Sequence, residues 1–298
     1  MGERIVMSAV TSAGHKLGQM LGDFFESTFS QRLEEIAKRN ALYLDKKGKI
    51  RAARGNQKKV TWTDTKGNKH DMDYVFERNG ADDIIGEPVA FIELMWRRYT
   101  KHSRNKAGEI QGALLPLRDA YRRSCSFVGA IIGGEFTEGA LRQLQSQGIE
   151  VLHVPYKTIV KVFSTKGVNL DYPEKADDSL KKKLIDSLNR LSENDIGDVS
   201  KALVSSIEQD YNRFVLSLTN SLLRKVESVR ILSLNGDEVT FVSISEAIKA
   251  MESDNHLGRT KGVRIQKFEI YIRFSNNDRI EGVFHERKAA LDFLKTYE

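Results

Sequence analysis

Two acidic residues stand where a strand pattern asks for apolar ones. Asp73 lies in HDMDYVFE (70–77), beside the strand formers Tyr74, Val75 and Phe76. Glu93 interrupts the apolar run PVAFIELMW (88–96). A carboxylate inside a buried strand is costly unless a cation compensates it. Two of them on neighbouring strands point to a shared cation, a divalent metal. The second strand runs directly into RRYTKHSRNK (97–106), which carries Arg97, Arg98, Lys101, His102, Arg104 and Lys106 and no acid. Acids to hold a metal, followed by a basic run to hold a polyanion, are the ingredients of phosphodiester hydrolysis.

The elements that must position these residues are legible from periodicity. Residues 12–40 read as a long amphipathic helix with Leu17, Leu21, Phe24, Phe25, Phe29, Leu33 and Ile36 at helical spacing. Glu26 and Glu34 ride on it, and Glu26 is either a solvated acid or an accessory to the site. Residues 41–60 form a basic segment, a short strand and an exposed turn, lying along DNA or merely solvated. A hairpin follows, 60–64 and 69–77 around a Lys-Gly-Asn turn at 66–68, then a strand at 88–96. Asp71, Asp82 and Asp83 read as solvated loop acids. A helix spans 103–123, kinked or ended at Pro116. Strand 126–134 is apolar on both faces, helix 137–148 opens on Thr137 and closes at Gly148, and strand 149–156 follows. The result is helix, three antiparallel strands, helix, strand, helix, strand: an α/β chain with a mixed sheet and one parallel crossover.

The remainder bounds the setting. A chain of 298 residues has one to two domains. The net charge of +6 favours an anionic partner. The single cysteine, Cys125, excludes an internal disulfide and a cysteine zinc site, and reads as a small buried apolar residue. No run approaches a membrane span and the N-terminus lacks a signal-peptide core, so a reducing, cytoplasmic setting is expected. The expected domains are 1–170, a helical linker region at 171–227, and a C-terminal domain at 228–298. The last holds two ββα units, with His256, Arg259 and Lys261 in the loop between them. No phosphate-binding Walker loop, GxGxxG turn or Ser-His-Asp arrangement is present.

The order αβββαβ over 12–163, with Asp73 on one strand and Glu93 on the next, resembles the PD-(D/E)XK nuclease superfamily, the fold of many restriction endonucleases. The resemblance implies a restriction-endonuclease-like core and a Mg²⁺-dependent endonuclease acting on double-stranded DNA, with Mn²⁺ able to substitute. It implies Asp73 and Glu93 as metal ligands. The family pattern places a lysine two residues after the second acid, where it orients the attacking water; here that residue is Met95. Lys106 and Glu109, three apart on the following helix, are the expected stand-ins, Glu109 as a further metal ligand, with Lys101 as runner-up. Arg97, Arg98, Lys101, His102 and Arg104 are expected DNA contacts, His102 as a phosphate donor rather than a base. A type II restriction enzyme acting as a homodimer is the leading expectation. A repair or recombination nuclease, or a catalytically inactive DNA-binding module, are the alternatives.

Overall fold

The computed structural model describes residues 12–99, 103–173, 175–234, 238–253 and 267–298. The chain divides into two compact units, Met1–Ser217 and Leu218–Glu298.

The first unit opens with α1 (Ala13–Arg39). The Ser12 hydroxyl accepts from the His15 N–H at its start, and the Asn40 side chain donates to Ile36 O at its end. Then follow β1 (Tyr43–Lys46), β2 (Val60–Thr63), β3 (Lys69–Met72), β4 (Tyr74–Arg78) and β5 (Glu87–Arg97). After these come α2 (Ser103–Ala120), β6 (Phe127–Gly134), α3 (Glu138–Ser146), β7 (Glu150–Pro155) and α4 (Tyr156–Ser164). The helices α5 (Asp178–Asn189), α6 (Glu193–Ser206) and α7 (Glu208–Leu222) complete it, α7 running past the boundary.

Five strands form one mixed sheet in the order β1-β4-β5-β6-β7. Pairings β1–β4 and β4–β5 are antiparallel, while β5–β6 and β6–β7 are parallel. Side chains alternate across a strand, so each face has its own core. On one face Val75, Phe91, Val128, Ala130 and Ile132 pack under Ile110, Leu114 and Leu117 of α2 and Leu144 of α3. On the other, Trp96 meets Phe25 of α1 at 6.0 Å between ring centres, and Phe24 meets Phe163 of α4 at 4.8 Å. Cys125 is buried in the first of these cores, as expected.

Several expectations change. Segment 69–77 is not one strand: it breaks at Asp73 into β3 and β4, and β2–β3 form a separate two-stranded sheet. The third antiparallel strand of the main sheet is β1, from the segment read as mostly loop. There are two parallel crossovers, through α2 and through α3, rather than one. Helix α2 runs on through Pro116, whose ring forfeits the hydrogen bond to Gly112. The apolar stripe Ile159, Val162, Phe163 makes a further helix, α4, after β7. In place of a linker, α5 and α6 pack against α1, and α6 also against α4.

The second unit carries the two expected ββα repeats: β8 (Val226–Ser233), β9 (Glu238–Phe241) and α8 (Ile244–Glu252), then β10 (Phe268–Phe274), β11 (Arg279–Phe284) and α9 (Arg287–Lys295). Its antiparallel sheet has the order β11-β10-β8-β9. Val229, Ile231, Ile270 and Ile272 meet Ile248, Met251, Ala290 and Leu294 in its core. His256, Arg259 and Lys261 lie outside the described residues.

Candidate active site

The strand register places three charged residues in one row. Lys46 faces Tyr74 across β1–β4, and Tyr74 faces Ile92 across β4–β5. One step along each strand therefore sets Lys47 beside Asp73 and Asp73 beside Glu93. The backbone agrees, since Lys47 N–H donates to Asp73 O at 2.9 Å. Residues directly opposite on one sheet face are close neighbours, and the three side chains meet. Lys47 Nζ lies 3.2 Å from Asp73 Oδ1, and Asp73 Oδ2 accepts from the Leu94 N–H at 2.9 Å. The second contact explains the break at Asp73. Strand β4 starts only at Tyr74, so β5 has no β4 partner beyond Ile92, and the Asp73 carboxylate takes up the Leu94 N–H.

Glu93 is the strained member. Its Oε1 is buried and accepts no hydrogen bond. Burial first, and then the Asp73 charge, push its carboxyl up to about 9, with Lys47 pulling weakly the other way. Lys47 is held above its ordinary value, chiefly by the Asp73 charge and with help from Glu26 and Glu93. Glu26, on the outer side of α1, is raised by loss of hydration and then by Asp73. These four groups feel one another: two carboxylates on the sheet, a third acid on α1, and one ammonium.

The loop carrying Lys47 is anchored beneath. Arg51, fully buried, bridges Asp45 Oδ2 at 2.6 Å and Glu77 Oε1 and Oε2 at 2.8 Å. It also donates to Ala81 O and Ile84 O, and Arg54 adds a second bond to Asp45. Within the basic segment Arg51 and Arg54 thus form an enclosed cationic wedge that pins the turn after β1, while Lys47, Lys58 and Lys59 stay exposed.

The other expected site residues have partners of their own or lie at the surface. Lys106 is paired with Glu109 along α2. Met95 shares the Glu93 face by strand period and packs against the apolar core under α2. Arg98 turns inward: its guanidinium lies 3.7 Å from the Tyr172 ring centre and 4.4 Å from that of Tyr156, and it donates to Tyr172 O. Arg97 and Arg104 are exposed. Lys101 and His102 lie outside the described residues. Glu34 pairs with Lys46. Asp71 pairs with Lys59 and Asp82 with Lys49, while Asp83 stays exposed. Lys47 was missed by sequence; the available signal was an acid in a short strand, Asp45, demanding a buried arginine and so an ordered turn.

Among the described residues no three His, Cys, Asp or Glu side chains gather as a ready-made ligand set. Mg²⁺ does not require one. It is held by one or two carboxylates, with waters and substrate phosphate filling the remaining positions. Asp73 and Glu93 could serve as such a pair, and the orphaned buried Glu93 oxygen is the kind of acceptor a cation satisfies.

No family model matches the chain, and no curated protein matches it. A solved structure described as a protein of unknown function, AF1548, is similar at 13% identity, covering 64% of this chain and 97% of that one, with a TM-score of 0.29, too loose a likeness to carry a fold.

Proposed function

We propose that the first unit is a Mg²⁺-dependent DNA endonuclease of the restriction-endonuclease-like type, in which Lys47 takes the place of the lysine that Met95 has vacated. The observation that carries this reading is the row Lys47–Asp73–Glu93, with a buried Glu93 oxygen lacking any partner. Supporting it, α1-β1-β4-β5-α2-β6 follows the order αβββαβ once the β2–β3 hairpin is set aside. A bound divalent cation would supply Lewis-acid stabilisation of charge building on the phosphate. Asp73 and Glu93 would hold it, Asp73 kept in orientation by the Leu94 N–H. Lys47, its proton held firmly by Asp73, acts as a donor rather than a base. It orients the attacking water and offsets negative charge at the phosphate. Arg97 and Arg104, both exposed, are the phosphate contacts of the basic run. Double-stranded DNA with a two-fold site would call for a homodimer.

A second reading, an inactive DNA-binding module, is favoured by Met95 packing into the core where the family carries lysine. Incubation with plasmid and genomic DNA in Mg²⁺ or in EDTA decides between them. Discrete Mg²⁺-dependent fragments support a restriction enzyme, a Mg²⁺-dependent smear supports a less selective nuclease, and intact DNA under every condition sinks the catalytic reading.

A further inference from the structure

A pocket of about 210 Å³ opens where α1 passes the end of β5. By volume it holds roughly seven waters, the bulk of one planar ring system. Trp96, Tyr99 and Tyr172 contribute its aromatic surface, and Arg98 and Lys181 its positive charge. Arg98 is fixed by its stack on Tyr172 and by its bond to Tyr172 O. Gly18 of α1 forms part of the wall, and a Cβ added there would meet nothing within 4 Å. The helix thus carries a poor helix former where the pocket opens.

Aromatic faces beside the charges of Arg98 and of Lys181, the latter shared with Asp178 at 3.6 Å, are chemistry that suits a nucleobase: stacking from the rings and positive charge for the adjoining phosphate. Trp96 is three residues beyond Glu93 on the same strand, about 10 Å at ~3.3 Å per residue, and faces the opposite side of the sheet. We propose that this pocket takes up one unstacked nucleobase of the DNA strand, a few nucleotides from the phosphate at Asp73 and Glu93. The placement relative to the scissile phosphate rests on the nuclease reading; the capture of a base does not.

The test uses the full chain and a short mixed-sequence single-stranded DNA in EDTA. The chain has two tryptophans, Trp62 and Trp96, so a Trp62→Phe variant reports on the pocket alone. Stacking should quench its emission on titration. Gly18→Leu should fill the pocket without a backbone clash, weaken binding of the labelled strand about tenfold, the scale of one lost base stack, and melt no lower than wild type. Unchanged affinity in Gly18→Leu, together with unquenched Trp96 emission, overturns the pocket. If wild type still cleaves DNA with Mg²⁺, the nuclease reading survives that result. Conversely, loss of strand binding in Gly18→Leu by a protein that cuts nothing upholds the pocket alone.

Discussion

Lys47 and Asp73, 26 residues apart in sequence, form a 3.2 Å ion pair across the first two strands of the sheet, beside Glu93. The ammonium that the family pattern expects two residues after Glu93 therefore approaches from the opposite side of Asp73. It is carried by a turn that a buried arginine holds in place. On the proposed reading, that relationship would complete the row for phosphoryl chemistry despite Met95.

Restoring the family letter should not help. Met95→Lys would push an ammonium toward the apolar core under α2 while Lys47 already serves the site. The expected outcome is a lower melting temperature and no gain in cleavage rate. Lys106→Ala should also leave the rate nearly unchanged, because its amine is engaged by Glu109. A large rate increase in Met95→Lys, or a hundredfold loss in Lys106→Ala, would contradict this assignment.

The raised Glu93 carboxyl sets a pH dependence. Its folded-state value of about 9 lies above the ordinary 4.5. Between those values the folded state binds the extra proton, so stability of the metal-free protein falls as pH rises through that window. Glu93→Gln should flatten this decline in thermal melts from pH 5 to 9 in EDTA. Because a carboxylate must lose its proton to hold a cation, Mg²⁺ affinity should rise over the same window. Calorimetry in two buffers should detect protons released on binding. A wild-type melting profile that parallels Glu93→Gln would remove the buried acid from the account.

The basic run should divide by exposure. Arg97→Ala and Arg104→Ala are expected to weaken DNA binding and lower the salt slope by about one each. Arg98→Ala should instead destabilise the fold by about 1–2 kcal/mol, through loss of its aromatic stacking. Arg98→Lys should recover this only in part, since an ammonium cannot stack as a guanidinium does. Urea melts paired with binding isotherms at two salt concentrations separate the two behaviours. Equal salt-slope losses with unchanged stability in all three variants would return Arg98 to the interface.

The Arg51 wedge should be the costliest single loss. Arg51→Met takes the bridging cation from Asp45 and Glu77, at 1% and 0% side-chain exposure, and leaves them only Arg54. Breaking such a network by removing one partner costs ~3–5 kcal/mol. The same change should loosen the turn that holds Lys47, so residual activity should fall more than the folded fraction does. A urea midpoint close to wild type would mean the network contributes little.

Long periodic elements were readable from the sequence: α1, the all-apolar β6, α3 with both of its caps, and the ββα repeats. Asp73 and Glu93 were readable because each breaks an apolar alternation. What escaped is set by long-range register. Nothing local marks Lys47 as different from Lys46, Lys49 or Lys58. Only the pairing of β1 with β4 brings it to Asp73, and β1 is four residues long. The split at Asp73 was hidden for a similar reason, since strand-forming neighbours on both sides mask a joint that exists to meet the Leu94 N–H. Arg98 was placed with its basic neighbours because charge patterning cannot reveal that Tyr156 and Tyr172, far along the chain, fold over it.

The most direct measurement is the single-turnover rate of DNA cleavage in saturating Mg²⁺ for Lys47→Ala, Asp73→Asn and Glu93→Gln, beside DNA affinity in EDTA. The account predicts that Lys47→Ala loses ~10²–10⁴-fold in rate, the scale of a positioned catalytic group. Both carboxylate variants should be inactive, and all three should still bind DNA. Cleavage by Lys47→Ala at the wild-type rate would contradict it.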